Sequence, residues 1–245
     1  MTRRRWIADT WTATTATLTG DQAAHLARVL RAEPGQIFDV VAGGFLHRAE
    51  ITGVSEAQVL FTLHEELESD AALPLHLLLA VFKFDHMEWA LEKATELGIA
   101  RITPILARRT EKHLALAAPK RAERWRRIAL EASKQSRRTD IPEIAAPTTL
   151  KSALEHEQSP TRILLSETEQ ATTLTAALES PVQSIFETQS VITHALAIGP
   201  EGGWTPEEMT LFTQHNWQPV TLGPRILRAE TATIAAIAIA STHLA

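Results

Sequence analysis

The sequence predicts two parts: a small β-barrel over residues 1–70, then an α/β domain over residues 75–245 in which helices flank a parallel sheet. Three observations lead there. Short strand-like runs broken by glycine turns give way at Leu75 to long apolar runs alternating with amphipathic stretches. Between the two patterns, Glu65 to Pro74 is acidic, then small, then proline, which is linker composition. Two Gly-Pro loops, Gly199-Pro200-Glu201-Gly202-Gly203 and Leu222-Gly223-Pro224-Arg225, each follow a short apolar run, as ligand loops at the carboxyl ends of parallel strands do.

In the first part, Asp21 to Leu30 has apolar residues at helical spacing, with Asp21 at the N-cap. After the Pro34-Gly35 turn, Gln36–Val41, Arg48–Val54 and Val59–His64 read as strands. Several short strands with one polar face each close most economically as a barrel. In the second part, Leu75–Phe82 is apolar enough to be a strand covered on both faces. A helix capped by Asp85 places Met87, Ala90, Leu91, Ala94 and Leu97 on one stripe and stops at Gly98. Arg101–Leu106, Ile163–Leu165, Ala195–Ile198 and Pro219–Leu222 read as further strands. Lys120–Ser136 is a helix with Trp125, Ile128, Ala129 and Ala132 facing in. Thr231–Leu244, rich in Ala and Ile and nearly free of charge, needs burial on most sides, either within the domain or across a homodimer seam.

Composition removes several chemistries. The chain of 245 residues has no cysteine, so disulfides, thiolate metal sites and thiol nucleophiles are excluded. Its ten histidines show no metal-binding spacing, and no metal is expected. No long apolar run or secretory core is present, which reads as a soluble cytoplasmic protein with no membrane partner. Net charge is −5, but residues 101–138 hold 12 Lys and Arg against 3 Asp and Glu. A local cationic excess of that size in an acidic chain points to a polyanionic partner rather than to an ordinary solvated helix face.

Neither glycine loop is a P-loop or a dinucleotide fingerprint, since no Lys-Ser/Thr follows the glycines and no G-x-G-x-x-G is formed. A ligand held mainly by backbone amides and carbonyls fits better than a phosphate. Arg225, Arg228 and Glu230 crowd the second loop. An Arg–Glu pair so spaced is read either as a structural ion pair or as chemistry.

At this point the motifs resemble a known family. Lys83-x-Asp85-x-Met87-Glu88 with Lys93-x-x-Glu96-Leu97-Gly98-Ile99 and Ile102-x-Pro104 is similar to a block of the ribosomal RNA small subunit methyltransferase E family. So are Glu131-Ala132-x-x-Gln135-Ser136-x-Arg138 with Ile141-Pro142-Glu143-Ile144, the run Ile198 to Gly203, and the run Leu222 to Ala232. His25-Leu26-x-Arg28-Val29-Leu30-Arg31 resembles the family's N-terminal motif, and Arg137 stands where the family usually has a small residue.

The resemblance implies a knotted SPOUT methyltransferase domain (a trefoil knot, with a parallel sheet flanked by helices) preceded by a PUA-like β-barrel that binds RNA. It implies a homodimer that uses S-adenosylmethionine to methylate N3 of a uridine in 16S ribosomal RNA during small-subunit maturation. The implied donor-binding residues are Ile198, Gly199, Pro200, Glu201, Gly202, Gly203, Leu222, Gly223, Pro224, Arg225, Ile226 and Leu227. Arg228 and Glu230 are the expected catalytic pair: a cation for the charge on the uracil oxygens, and a carboxylate for the departing proton. Arg4, Arg5, Arg28, Arg31, Lys83, Arg109, Gln135 and Arg138 are the expected RNA contacts. Two alternatives stay open: a related knotted methyltransferase acting on tRNA, and a non-catalytic RNA-binding assembly factor on the same fold.

Overall fold

The structure is a computed structural model that describes residues 5–68, 71–136, 138–179 and 192–244. The chain divides into two compact units, Met1–Ala71 with Ser133–Ile141, and Ala72–Ala132 with Pro142–Ala245. Arg4, an expected RNA contact, and Arg137, where the sequence departs from the family pattern, lie outside the described residues.

The first unit holds a six-stranded sheet built from β1 (Arg5–Ile7), β2 (Thr10–Trp11), β3 (Thr15–Thr19), β4 (Ile37–Ala42), β5 (Phe45–Val54) and β6 (Gln58–Leu67). Their order is β1-β4-β5-β6-β3-β2. Closure comes from one stretch of chain that is both edges of the sheet. β1 pairs with β4 and β2 with β3, while Ala8 donates to Val41 and Asp9 to Thr17 across the kink between them. The Asp9 carboxylate accepts the Thr19 amide at 2.7 Å and its hydroxyl at 3.0 Å, which fixes that kink. Trp6, Leu18, Leu26, Val40, Ile51, Val59 and Phe61 fill the interior. Three strands here, β1 to β3, carry too little apolar alternation to be read from the sequence. The predicted helix lies one residue earlier and is of two kinds: α1 (Gly20–Ala24) begins one residue before Asp21, and a π-helical turn follows over His25–Val29. The predicted linker is also trimmed. Its ends Glu65–Leu67 and Leu73–Pro74 are strand, because Glu66 and Leu67 extend the ladder opposite His47 and Leu46.

The second unit alternates strand and helix: β7 (Leu73–Ala80), α2 (Phe84–Glu96), β8 (Ile99–Leu106), α3 (Lys112–Ser136, whose end from Ser133 on belongs to the first unit), β9 (Glu143–Ile144), β10 (Thr148–Thr149), α4 (Leu150–His156), β11 (Thr161–Leu165), α5 (Leu174–Glu179), β12 (His194–Ile198), α6 (Pro206–Gln214), β13 (Gln218–Val220) and α7 (Ala229–Leu244). The strands pair in parallel in the order β10-β8-β7-β12-β11-β13, with β9 on β8. Side chains alternate between the two faces with the period of a strand. Leu75, Leu77, Leu79, Leu196 and Ile198 pack on α2, α3, α5 and α7, whereas Leu78, Ala195 and Ala197 pack on α4 and α6. That double cover explains the near-continuous apolar strands of the sequence.

Two helix starts differ from expectation. Lys83, not Asp85, is the N-cap of α2, and Asp85 lies in its first turn where the helix dipole favours an anion. Helix α3 begins at Lys112 and runs through Pro119, which an isolated helix would not tolerate. Leu114 and Ala118 continue the buried stripe of Ala122, Trp125 and Ala129, and their burial outweighs the lost hydrogen bond at an exposed proline. Among the described residues no helix is long and apolar enough to cross a membrane.

Deep in this unit His76 of β7 sits with Nδ1 2.6 Å from Glu157 and Nε2 2.8 Å from the Thr103 hydroxyl. Burial alone would raise the Glu157 carboxyl. The hydrogen bond and charge of His76, with donors from Ser159, outweigh it and bring the group down to about 2. Nearby in sequence to these strands, burial pushes the His194 imidazole below its ordinary range. In both cases the unfolded chain takes up the proton more readily, so folding stability falls with acidification. The loss starts as pH drops through the ordinary imidazole range, then steepens from the ordinary carboxylate value of 4.5 down to about 2. Urea titrations across that window should show this loss. Glu157→Gln should flatten the lower part by on the order of 3 kcal/mol while lowering stability at neutral pH.

Candidate functional site

Parallel strands end together, so the loops leaving their carboxyl ends share one edge of the sheet. Here the loops after β7, β8, β11, β12 and β13 line a single cleft of about 990 Å³ within the second unit. The strands that carry the two glycine loops are not neighbours: β11 lies between β12 and β13 in the sheet. Its loop, Ser166–Thr173, forms the third wall, with Glu167, Thr168, Glu169 and Gln170 lining the cleft. Polar and without glycine, that loop gave no motif signal. Its position after the apolar run Ile163–Leu165 was the clue available.

The first glycine loop is held from below. Trp204 packs edge-on against Phe212 at 4.9 Å between ring centres, and Phe212 against Trp217 at 5.4 Å. The Trp204 indole lies against the bare Cα of Gly199, where a Cβ would meet it at 3.1 Å. At the start of α6, Glu208 is buried yet fully employed. Its Oε2 accepts the Thr205 amide at 2.9 Å and its Oε1 the Arg108 amide at 2.8 Å. The Thr205 hydroxyl accepts the Glu208 amide at 3.3 Å, completing a capping box. One carboxylate thus ties the loop after β12 to the loop after β8. Arg109 adds a second tie by donating to the Gly202 carbonyl.

The second glycine loop is shaped by Thr221, whose hydroxyl accepts the Gly223 amide and donates to the Gly223 carbonyl, both at 3.1 Å. Gly223 has φ +114°, a backbone conformation that other residues adopt only under strain, and the space beside its Cα is open. The Thr173–Thr221 bridge, with the Thr221 amide on Thr172 and the Leu174 amide on Thr221, joins this loop to the one after β11.

All twelve expected ligand residues, Ile198–Gly203 and Leu222–Leu227, line the cleft, and Arg228 lines it too. Leu222 and Leu227 are half-buried there, whereas Ile226 is 80% exposed. Glu230 does not line it. Its side chain is 7% exposed in the first turn of α7, and it forms no ion pair with Arg228 among the described residues. Instead its Oε1 lies 3.4 Å from Nδ1 of His86, a cleft residue that motif reading passed over.

The expected RNA residues divide. Lys83 and Arg109 line the cleft, Lys83 with Nζ 3.8 Å from Glu201 and Arg109 bracing Gly202. Gln135 and Arg31 are exposed, the latter with φ 50°. Arg28 is exposed but paired with Glu56, and Arg5 is half-buried in register with Asp39. Arg138 departs from expectation: its side chain is 7% exposed and its guanidinium is committed to Asp140. On α3, Glu88 occupies Arg121 and Arg124, while exposed Lys112, Lys120 and Arg127 make no ion pair among the described residues.

A fold of parallel strands whose carboxyl-end loops enclose one cleft, in a chain that also carries a β-barrel unit, matches the class of RNA methyltransferases. The family model described as an RNA methyltransferase domain matches residues 69–241, and that of the RNA methyltransferase PUA domain matches residues 18–63. Ribosomal RNA small subunit methyltransferase E of Synechocystis is 37% identical over 229 residues, 91% of this chain and 72% of that one. The enzyme of the same name from Bacillus subtilis is 31% identical over 94% of this chain and 90% of its own. Among solved structures, Ribosomal RNA small subunit methyltransferase E of Neisseria gonorrhoeae bound to S-adenosyl methionine is 28% identical, with a TM-score of 0.78 over 98% of both chains. A methyltransferase of Legionella pneumophila in complex with S-adenosylmethionine gives the same TM-score at 29% identity, over 99% of this chain and 98% of that one. The chain belongs to the ribosomal RNA small subunit methyltransferase E family.

Removing the Glu208 carboxylate leaves the Arg108 amide without its acceptor. Glu208→Ala should therefore lower the unfolding free energy by about 2–4 kcal/mol, read as a lower urea midpoint at unchanged m-value.

Proposed function

We propose that this chain transfers the methyl group of S-adenosylmethionine to N3 of a uridine in 16S ribosomal RNA during small-subunit maturation. The observation that carries the reading is the cleft itself, walled by two glycine loops and the Ser166–Thr173 loop, in a family whose Neisseria gonorrhoeae member was solved with this donor bound. The residues fit the donor. A volume of about 990 Å³ admits a nucleoside with its amino-acid tail, and the bare Cα of Gly223 leaves backbone within reach of a ligand. Ile198–Gly203 and Leu222–Leu227 are assigned to hold it, with backbone groups on the adenine edge and Leu222, Ile226 and Leu227 on ring and thioether carbons.

When bound, the donor supplies a methyl group on a cationic sulfonium. The chain's own task is then to hold uracil N3 in line and to manage one proton. As N3 loses that proton, negative charge spreads to O2 and O4, and Arg228, exposed in the cleft wall, is assigned to offset it. Glu230 supplies the buried negative charge against which the departing proton is held.

The barrel of residues 1–70 is assigned to docking the RNA and residues 75–245 to transfer, with Arg5, Arg28, Arg31, Lys83, Arg109 and Gln135 along the path. Lys112, Lys120 and Arg127 join them because they carry no internal partner among the described residues. A homodimer is supported by the outer face of α7, where Ile234, Ala235 and Ala238 are uncharged and half-buried. The clasp between Thr172–Leu174 and Thr221 supports the family's trefoil knot in this unit. Work on ribosomal RNA also supports a cytoplasmic location.

Three measurements test the reading. Purified protein should methylate small-subunit RNA from a strain lacking the modification, with mass spectrometry finding the methyl on one uridine N3; methylation of tRNA alone would overturn it. Gly223→Val should weaken donor binding by calorimetry about tenfold or more, about 1.4 kcal/mol, through strain and lost space. RNA affinity should fall linearly on a log–log salt plot, and Lys120→Ala with Arg127→Ala should reduce the slope by about 2. A slope left unchanged would remove α3 from the RNA surface.

A further inference from the structure

We propose that His86 is the group that takes the proton from the target base, with Glu230 behind it as a positioning carboxylate. The inference rests on the methyl-transfer reading above and deepens it. His86 lines the same cleft as Arg228 and Ala229, whereas Glu230, only 7% exposed, does not reach its surface. The two side chains face each other, with His86 Nδ1 3.4 Å from Glu230 Oε1. Nδ1 of His86 and Oε2 of Glu230 are both buried and neither has a hydrogen-bond partner among the described residues. A buried polar atom left unpaired costs free energy, and a proton on Nδ1 aimed at Oε1 settles the histidine's. Distances of this kind in a ligand-free site shorten when substrate closes it.

With its Nδ1–H turned to Glu230, His86 presents the lone pair of Nε2, the arrangement by which a carboxylate orients a histidine base. The other carboxylates of the cleft are less suited. Glu201 lies by Lys83, and backbone amides of Thr172 and Ala171 hold the Glu169 carboxyl below its usual range. Glu167 is exposed and solvated.

An exit for the proton is also present. His86 Nε2 is 3.8 Å from Asp85 Oδ2, and exposure rises along the series from 7% for Glu230 to 35% for His86 and 78% for Asp85. In the step proposed, the N3–H electron pair becomes the N3–CH₃ bond. The sulfur–methyl pair stays on sulfur, which becomes a neutral thioether, and the proton goes to Nε2. The imidazolium so formed lies between the Glu230 and Asp85 carboxylates, and its proton passes to water at Asp85.

Single-turnover methylation of small-subunit RNA, with donor affinity measured in parallel, tests this on the full-length protein. His86→Ala should slow transfer by about 100-fold or more with donor affinity within threefold, and added imidazole should restore at least tenfold of the loss. His86→Gln, closer in shape, should be as slow, and imidazole should not revive Glu230→Gln. Transfer by His86→Ala within threefold of the wild type, or a loss in both His86 variants that imidazole leaves untouched, would overturn the proposal. Those results leave the methyl-transfer reading standing provided the wild type is active. An inactive wild type would sink that reading instead, and a fully active Glu230→Gln would remove the carboxylate from both.

Discussion

A parallel sheet covered on both faces can offer chemistry only at its ends, and that constraint governs the second unit. Leu75, Leu77 and Leu79 are committed to one layer of helices and Leu78 to the other. Every loop that leaves a carboxyl end is thereby delivered to one edge. The cleft results from that coincidence of strand ends, and its walls come from stretches of chain more than a hundred residues apart, Lys83 to Arg228.

Loops so placed need fixing, and the fixing is polar. The buried carboxylate of Glu208 holds two backbone amides, one from its own helix start and one from Arg108. Oriented N–H groups and the positive end of α6 stabilise it there. The aromatic stack of Trp204, Phe212 and Trp217 backs the glycine loop, and a Cβ at Gly199 would press on the Trp204 indole at 3.1 Å. Rigid support beneath and bare backbone above is the combination that lets main-chain groups read a ligand.

Cationic residues show how composition and geometry part company. The basic stretch 101–138 is real in the sequence, yet its members do different work. Arg138 is spent on Asp140 inside the fold, Arg121 and Arg124 on Glu88, and Arg109 on the Gly202 carbonyl. Among the described residues, the α3 cations with no acid partner are the smaller set Lys112, Lys120 and Arg127. Similarly, Arg228 and Glu230, two apart in the chain, point to different surroundings: one lines the cleft and the other is buried against His86.

The sequence by itself determined strands β4 to β8 and β11 to β13, the helix stripes, the barrel-like first part and the two glycine loops, because each depends on local period or on the conformational freedom of a few residues. It also carried the family, through motifs whose spacing survives without any coordinates. Tertiary structure alone decided that β11 separates the glycine-loop strands, that α3 runs through Pro119, and that His86 meets Glu230 across 144 positions. Those facts depend on which distant elements pack together. Burial can override a proline's local preference, and contact between side chains on different helices leaves no period in the chain that makes it.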